Sequence, residues 1–250
     1  MDLLGFPPIA AILDAAHALL MGLTALLEPL AGSAAAAASV VVLTLIVRAV
    51  LIPAGVAQAR AEQTRSRLAP KLKALQRRYK GDPERLQRET MKLYADEKAS
   101  PFAGCLPMLA QAPVVAIVYT LFLHASIAGH ANALLTEQLL GVALGTSLAG
   151  AVVSGTATAA TVAVFAGLLV AIAVVAEVTR RAFRPPVDDS PDASPLAGAA
   201  MARLAGALQF TTAVVAMFVP LAAALYLTVT VTWTLGQRLV LRRIYPFAPA

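Results

Sequence analysis

Residues Ala34 to Ala57 read AAAAASVVVLTLIVRAVLIPAGVA, an apolar run with a single charge, Arg48. A run of that length and apolarity is enough to cross a bilayer as a helix. An arginine in its interior costs about 2.5–3.5 kcal/mol even on the lenient insertion scale, so its side chain is expected to face protein, water or a polar ligand rather than lipid. Snorkelling is the bland alternative, and it works best near helix ends, whereas Arg48 is far from both ends of the run. Arg48 is therefore the first candidate functional residue, with Thr44 one turn before it on the same helical face. Pro53 and Gly55 follow within two turns, where they can open the backbone ladder.

The surroundings match a membrane protein. Of 250 residues, 59% are hydrophobic and 14% charged, a balance outside the usual globular range. Further apolar spans cover Phe102–His124, Ser154–Val178 and Leu204–Gln237. The last, at roughly 34 residues, is too long for one ordinary crossing and short for two. Pro220 lies near its midpoint, where a turn between two helices is expected. Five transmembrane helices result.

Cations fix their direction. Residues 1–47 and 125–157 have no Lys or Arg, residues 58–100 have 12 Lys and Arg against 6 acidic residues, and Arg180, Arg181, Arg184 and Arg203 fall in the stretch 178–205. Arg238, Arg242 and Arg243 close the chain. Since Lys and Arg collect on the cytoplasmic side, the amino end is predicted outside and the carboxyl end inside. The expected order is an extracytoplasmic amphipathic segment (1–33), a first span (34–57), a cytoplasmic helical hairpin (58–100) and a second span (102–124). An extracytoplasmic loop (125–153), a third span (154–178) and a cytoplasmic linker (179–203) follow. A fourth span (204–219), a fifth (220–237) and a cytoplasmic tail (238–250) complete it. A cleaved signal peptide is the alternative for the amino end, weakened because no cation precedes its apolar run.

In the polar segment, Leu68, Leu72, Leu75 and Tyr79 recur at helical spacing, Lys80-Gly81-Asp82-Pro83 signals a turn, and Leu86, Leu93 and Tyr94 continue a second helix. Such a hairpin is expected to meet anionic lipid headgroups or an acidic partner. The stretch Arg184–Pro195 reads as an extended linker, and the outer segment around Leu134–Leu140 as a second surface helix.

Covalent, metal and cofactor chemistry find no foothold. The single Cys105 makes no internal disulfide, His17, His124 and His130 are scattered, and no phosphate-loop, dinucleotide, serine-elbow or metalloprotease motif occurs. The expectation is a non-enzyme without cofactor or metal. The spans offer neutral polarity instead: Gln111 and Tyr119 in the second, Gln209 in the fourth, and Trp233 among several threonines in the fifth. Most single threonines in such helices bond their own backbone, whereas a glutamine amide in hydrocarbon needs partners. Intramembrane carboxylates at mid-depth are missing, which argues against a proton-coupled carrier. A cation without a counter-ion in a wet cavity suits transient capture of an anionic group. A small-molecule or anion transporter using Arg48 as its binding charge is the alternative function.

Four groups of residues together resemble the YidC family of membrane protein insertases, which has mitochondrial and chloroplast (Oxa and Alb) relatives. They are Leu43-Thr44-Leu45-Ile46-Val47-Arg48 with Pro53 and Gln58; Leu68-Ala69-Pro70 with Leu75-Gln76-Arg77-Arg78-Tyr79-Lys80-Gly81-Asp82; Gly104-Cys105-Leu106-Pro107 with Gln111 and Pro113; and Pro220, Leu225-Tyr226 and Trp233-Thr234-Leu235-Gly236-Gln237. The resemblance implies five spans around a polar groove open to the cytoplasm and lipid but closed outside. Arg48 would be its positive centre, with Thr44, Gln111, Tyr119, Gln209 and Trp233 as groove residues. It implies that the hairpin, through Arg77, Arg78 and Lys80, meets partners. Those partners would be nascent membrane proteins, the Sec translocon, the targeting machinery, the ribosome and membrane lipids, with no specific nucleic acid, in the cell membrane. The chain departs from the family pattern at Ser100 (usually Asn), Leu227 (typically Trp) and Val231 (often Asn), which makes the fifth-span wall less polar. Its tail after Gln237 is short, and the ribosome-binding role of longer basic tails is not carried over.

Overall fold

The computed structural model describes residues 7–100, 106–124, 126–127, 130–183, 204 and 206–246. The linker Arg184–Pro195 and Cys105 lie outside them. The chain is mostly helical and divides into two compact units, residues 1–48 with 116–235 and residues 49–115 with 236–250.

In the first unit, α1 (Pro7–Ala31) and α2 (Ala35–Val50) are joined by a single 3₁₀ turn, Gly32–Ala34. The apolar run Ala11–Val50 is long enough to cross a membrane, as is Ala159–Ala182. Nevertheless the first run is not one rod. Thr24 Oγ1 donates to Ser39 Oγ at 2.9 Å. Along a straight helix those two positions would be about 22 Å apart. The chain folds back at Gly32, whose φ of 52° is free of strain only without a β-carbon.

The carboxyl end of helix α5 (Leu106–Leu123) is capped by Asn132, whose Nδ2 donates to the carbonyls of Leu121 (2.7 Å) and His124 (3.0 Å). The segment Leu134–Leu140, expected to be a surface helix, is instead a 3₁₀ turn (Ala133–Thr136) and the start of a hairpin. Strands β1 (Ser126–Ile127) and β2 (His130–Ala131) pair antiparallel, as do β3 (Gln138–Leu139) and β4 (Val142–Ala143). Leu140 (φ 53°) and Gly141 (φ 80°) form the two-residue turn of the second pair. Both positive φ angles match the twist of a two-residue hairpin, and the backbone bonds that follow (Leu144 N to Glu137 O, Gly145 N to Leu135 O) exclude a helix there.

Short α6 (Leu148–Val153) and α7 (Ala159–Ala182) begin at caps: Ser147 Oγ accepts from Gly150 N, and Thr158 Oγ1 from Thr161 N. Helix α8 (Thr211–Phe218) packs on α7. It stops at Val219, which is extended (φ −92°, ψ 157°). The ring of Pro220 requires that conformation of the residue before it. Helix α9 (Leu221–Ile244) then starts with two of its N–H groups satisfied from the loop that follows β4: Leu221 N donates to Thr146 O (2.8 Å) and Ala222 N to Leu144 O (2.9 Å). Such groups have no partner within their own helix.

In the second unit, the ladder breaks at Leu51, shortly before Pro53, and α3 runs over Ile52–Arg78. A turn at Tyr79–Asp82 leads into α4 (Pro83–Asp96), with Asp82 capping Arg85 N and Pro83 in the first turn. The two helices pack as a hairpin, and Leu68 of α3 is fully buried. Its open end is tied by Glu97, which bridges Lys71 and Arg67, the latter at 3.2 Å. The carboxyl-terminal turns of α9 belong to the same unit.

Candidate functional site

Helix α2 presents Val40, Thr44 and Arg48 on one face, each a turn apart. Val40 is 0% exposed and Thr44 2%, while Arg48 is half-buried. From Leu45 to Val50 no residue is buried, and Ile46 and Val50, off that face, are exposed. Arg48 thus stands on the protein-facing side of α2, at the point where burial ends. It has no ion pair or hydrogen bond with any described residue. Glu177 of α7 is committed elsewhere, to Arg180 (2.7 Å) and Arg181 (2.5 Å).

Helix α9 shows the same gradient. Leu221 through Tyr226 are buried without interruption, and none of residues 227–235 is. On the buried half of α9, Tyr226 lies ring to ring with Phe122 of α5, their centroids 5.9 Å apart. Along both α2 and α9, a buried stretch thus gives way to one in which no residue is buried.

Along α9, Tyr226, Thr230, Trp233 and Gln237 recur at helical spacing and form one stripe. Trp233 is half-buried. Thr228, Thr232 and Thr234 donate to the carbonyls of the preceding turn, at 2.8, 2.8 and 2.7 Å. Thr230 does not: its Oγ1 is buried with no hydrogen-bond partner among the described residues. A lone buried hydroxyl wants water or a polar guest. Its spacing from Trp233 was the sequence signal for it, hidden among neighbouring threonines that look alike.

The remaining candidates are dispersed. Thr44 Oγ1 donates to Val40 O at 2.6 Å, the backbone bond usual for such threonines. Tyr119 is half-buried on α5, Gln111 stands on α5 with its side chain outside the described residues, and Gln209 is exposed in the turn before α8. At the hairpin tip, Arg78 and Arg85 stack on Tyr79, their guanidinium carbons 5.5 Å and 5.3 Å from the ring centroid. The aromatic face attracts both cations. Exposed Arg77 and Lys80 flank them, giving a cationic end above a cleft lined by Gly81 and Asp82.

The family model for the 60Kd inner membrane protein matches residues 27–248, nearly the whole chain. The chain belongs to this family, the YidC family. It is 39% identical over 84 residues to the membrane protein insertase YidC of Clostridium perfringens, covering 34% of this chain and 35% of that one. The YidC of Aquifex aeolicus is 44% identical over 81 residues (32% and 16% of the two chains), and that of Clostridium tetani 36% over 84 residues (34% and 38%). The matched stretches thus span well under half the length of these relatives. As a member of the YidC family, the protein is a multi-pass protein of the cell membrane.

Proposed function

We propose that this YidC-family chain is a membrane protein insertase that moves segments of integral membrane proteins into the bilayer and helps them fold, alone or beside the Sec translocon. The observation that carries the reading is the face Val40–Thr44–Arg48, sealed for two turns and then opening at a cation without a counter-ion among the described residues. The buried outer end, with Phe122 and Tyr226, would close a groove on one side, and the unburied halves of α2 and α9 would form its walls inward.

The topology proposed is five spans with the amino end outside, the carboxyl end inside and the hairpin in the cytoplasm. Pairing within the second unit supports it. The start of α3 and the end of α9 lie side by side in the same direction, through Gly55 with Gln237 and Gln63 with Pro246. Two segments leaving the membrane in parallel require an odd number of spans from the first to the last, inclusive.

Mechanism follows from solvation. A groove reaching mid-membrane shortens the hydrocarbon path of a polar segment. Arg48 offers an acidic group a charge partner worth about 4 kcal/mol at about 4 Å and an effective dielectric near 20, before desolvation is subtracted. A small net remainder captures a segment and also releases it. The apolar part of the client then partitions into lipid along α8 and α9, and the short final spans would thin the bilayer locally. The step is physical rather than covalent. Arg77, Arg78 and Lys80 at the hairpin tip would receive nascent chains or the targeting machinery through opposite charge.

The test is photocrosslinking from position 48 and, as a control, from lipid-facing position 46, to a stalled nascent membrane protein. The reading requires adducts from position 48 in excess of those from position 46. Equal or absent adducts at both positions would sink it.

A further inference from the structure

A β-carbon on Gly55, in the first turn of α3, would meet Gln237 Cδ at 2.8 Å and Oε1 at 3.3 Å. The missing side chain is therefore what admits the Gln237 amide against the α3 backbone. The pairing continues outward. Arg238 Nη2 lies 3.3 Å from Glu62 Oε1. Arg60 donates to Tyr245 Oη from Nε (3.2 Å) and Nη2 (3.1 Å), its guanidinium carbon 5.4 Å from the ring centroid. Gln63 Nε2 donates to the carbonyl of Pro246 at 3.0 Å.

Each exposed contact contributes little alone. Spread over several turns of each helix, they resist rotation together, because swinging one helix away breaks all of them. Helix α3 has 27 residues. It therefore runs about 40 Å, so a tilt of about 10° at its base moves its far end by about 7 Å. Small freedom at the base becomes large freedom at the tip.

We propose that the end of α9 with the two residues after it, Gln237 to Pro246, is a latch that sets the angle of the hairpin, with Gly55, Arg60 and Glu62 as its positioning residues on α3. The carboxyl-terminal turns are structural members of the hairpin unit rather than a free tail. The latch rests on the insertase reading only for its purpose, which is to present the cationic tip in one place.

The test uses the full chain in lipid nanodiscs, with Cys105→Ala and spin labels at positions 87 and 239. The parent should give a narrow distance distribution. Combined Arg60→Ala and Tyr245→Phe should broaden it, and so should Glu62→Arg alone. Adding Arg238→Glu to Glu62→Arg should restore the narrow distribution, a rescue that general destabilisation would not produce. Unchanged distributions in the broken variants, or no rescue by the reversed pair, would overturn the latch. The distances report the latch whether or not the chain inserts clients, so a failed insertion assay with normal distances counts against the insertase reading alone.

Discussion

Arg48 stands one helical turn beyond Thr44 on the same face of α2, and the Thr44 hydroxyl is already bound to Val40 O at 2.6 Å. The turn before the cation is closed and the cation itself is open. In the proposed insertase, polar contact with a guest on this face would therefore start at Arg48.

Arg48→Ala should lower insertion of clients whose translocated segment is acidic on the order of tenfold, the loss of about 1.4 kcal/mol of charge pairing, and spare neutral clients. Arg48→Lys should keep most of the activity. Insertion into proteoliposomes of matched acidic and neutral clients checks this, and equal loss for both classes counts against capture by charge.

Thr44→Val should leave insertion of either client class unchanged, since its hydroxyl serves only the backbone. The Thr44 site is 2% exposed. Thr44→Leu should therefore destabilise by about 1–3 kcal/mol through overpacking. Thermal unfolding in detergent separates the two, and an insertion defect in Thr44→Val with normal stability would make Thr44 a contact for the client.

Leu140 occupies a left-handed position (φ 53°) in the two-residue turn of β3 and β4 and is exposed. Leu140→Asn, which tolerates that conformation, should raise stability by about 0.5–1 kcal/mol. A lower unfolding temperature in the variant would mean that Leu140 makes a contact that outweighs its strain.

The Lys71 ammonium, hydrogen-bonded to Glu97 at the open end of the hairpin, and Arg67 beside it hold the carboxyl below its ordinary value of 4.5. A depressed carboxylate stabilises the fold fully above that value and loses the contribution as pH falls through the lowered one. The parent should therefore be more stable than Glu97→Gln near neutral pH, and the difference should shrink as pH falls below 4.5. Chemical denaturation across that range measures it, and a difference that stays constant with pH would remove the ion pair from the account.

Much of the architecture was legible because its causes are local. Pro53 and Pro220 lack an N–H, and the chain stops helices ahead of both, at Leu51 and Val219. Lys80-Gly81-Asp82-Pro83 supplies a flexible turn, a cap and a first-turn proline, and α3 and α4 meet there. Arg48 stood out because one charge in an apolar run is visible at any distance.

What only the tertiary structure decided depends on residues far apart in sequence. An apolar residue facing lipid and one facing protein look identical in hydropathy, so the line Val40–Thr44–Arg48, where burial ends, could not be read from α2 alone. Leu134–Leu140 carries a helix-like pattern. It becomes a hairpin because Glu137 and Leu135 pair with Leu144 and Gly145, and the same loop caps α9 through Thr146. Gly55 and Gln237, far apart in the chain, showed no sign of each other. Chain composition selects helices and the solvent they suit, whereas contacts across the fold select which faces are sealed and which stay open.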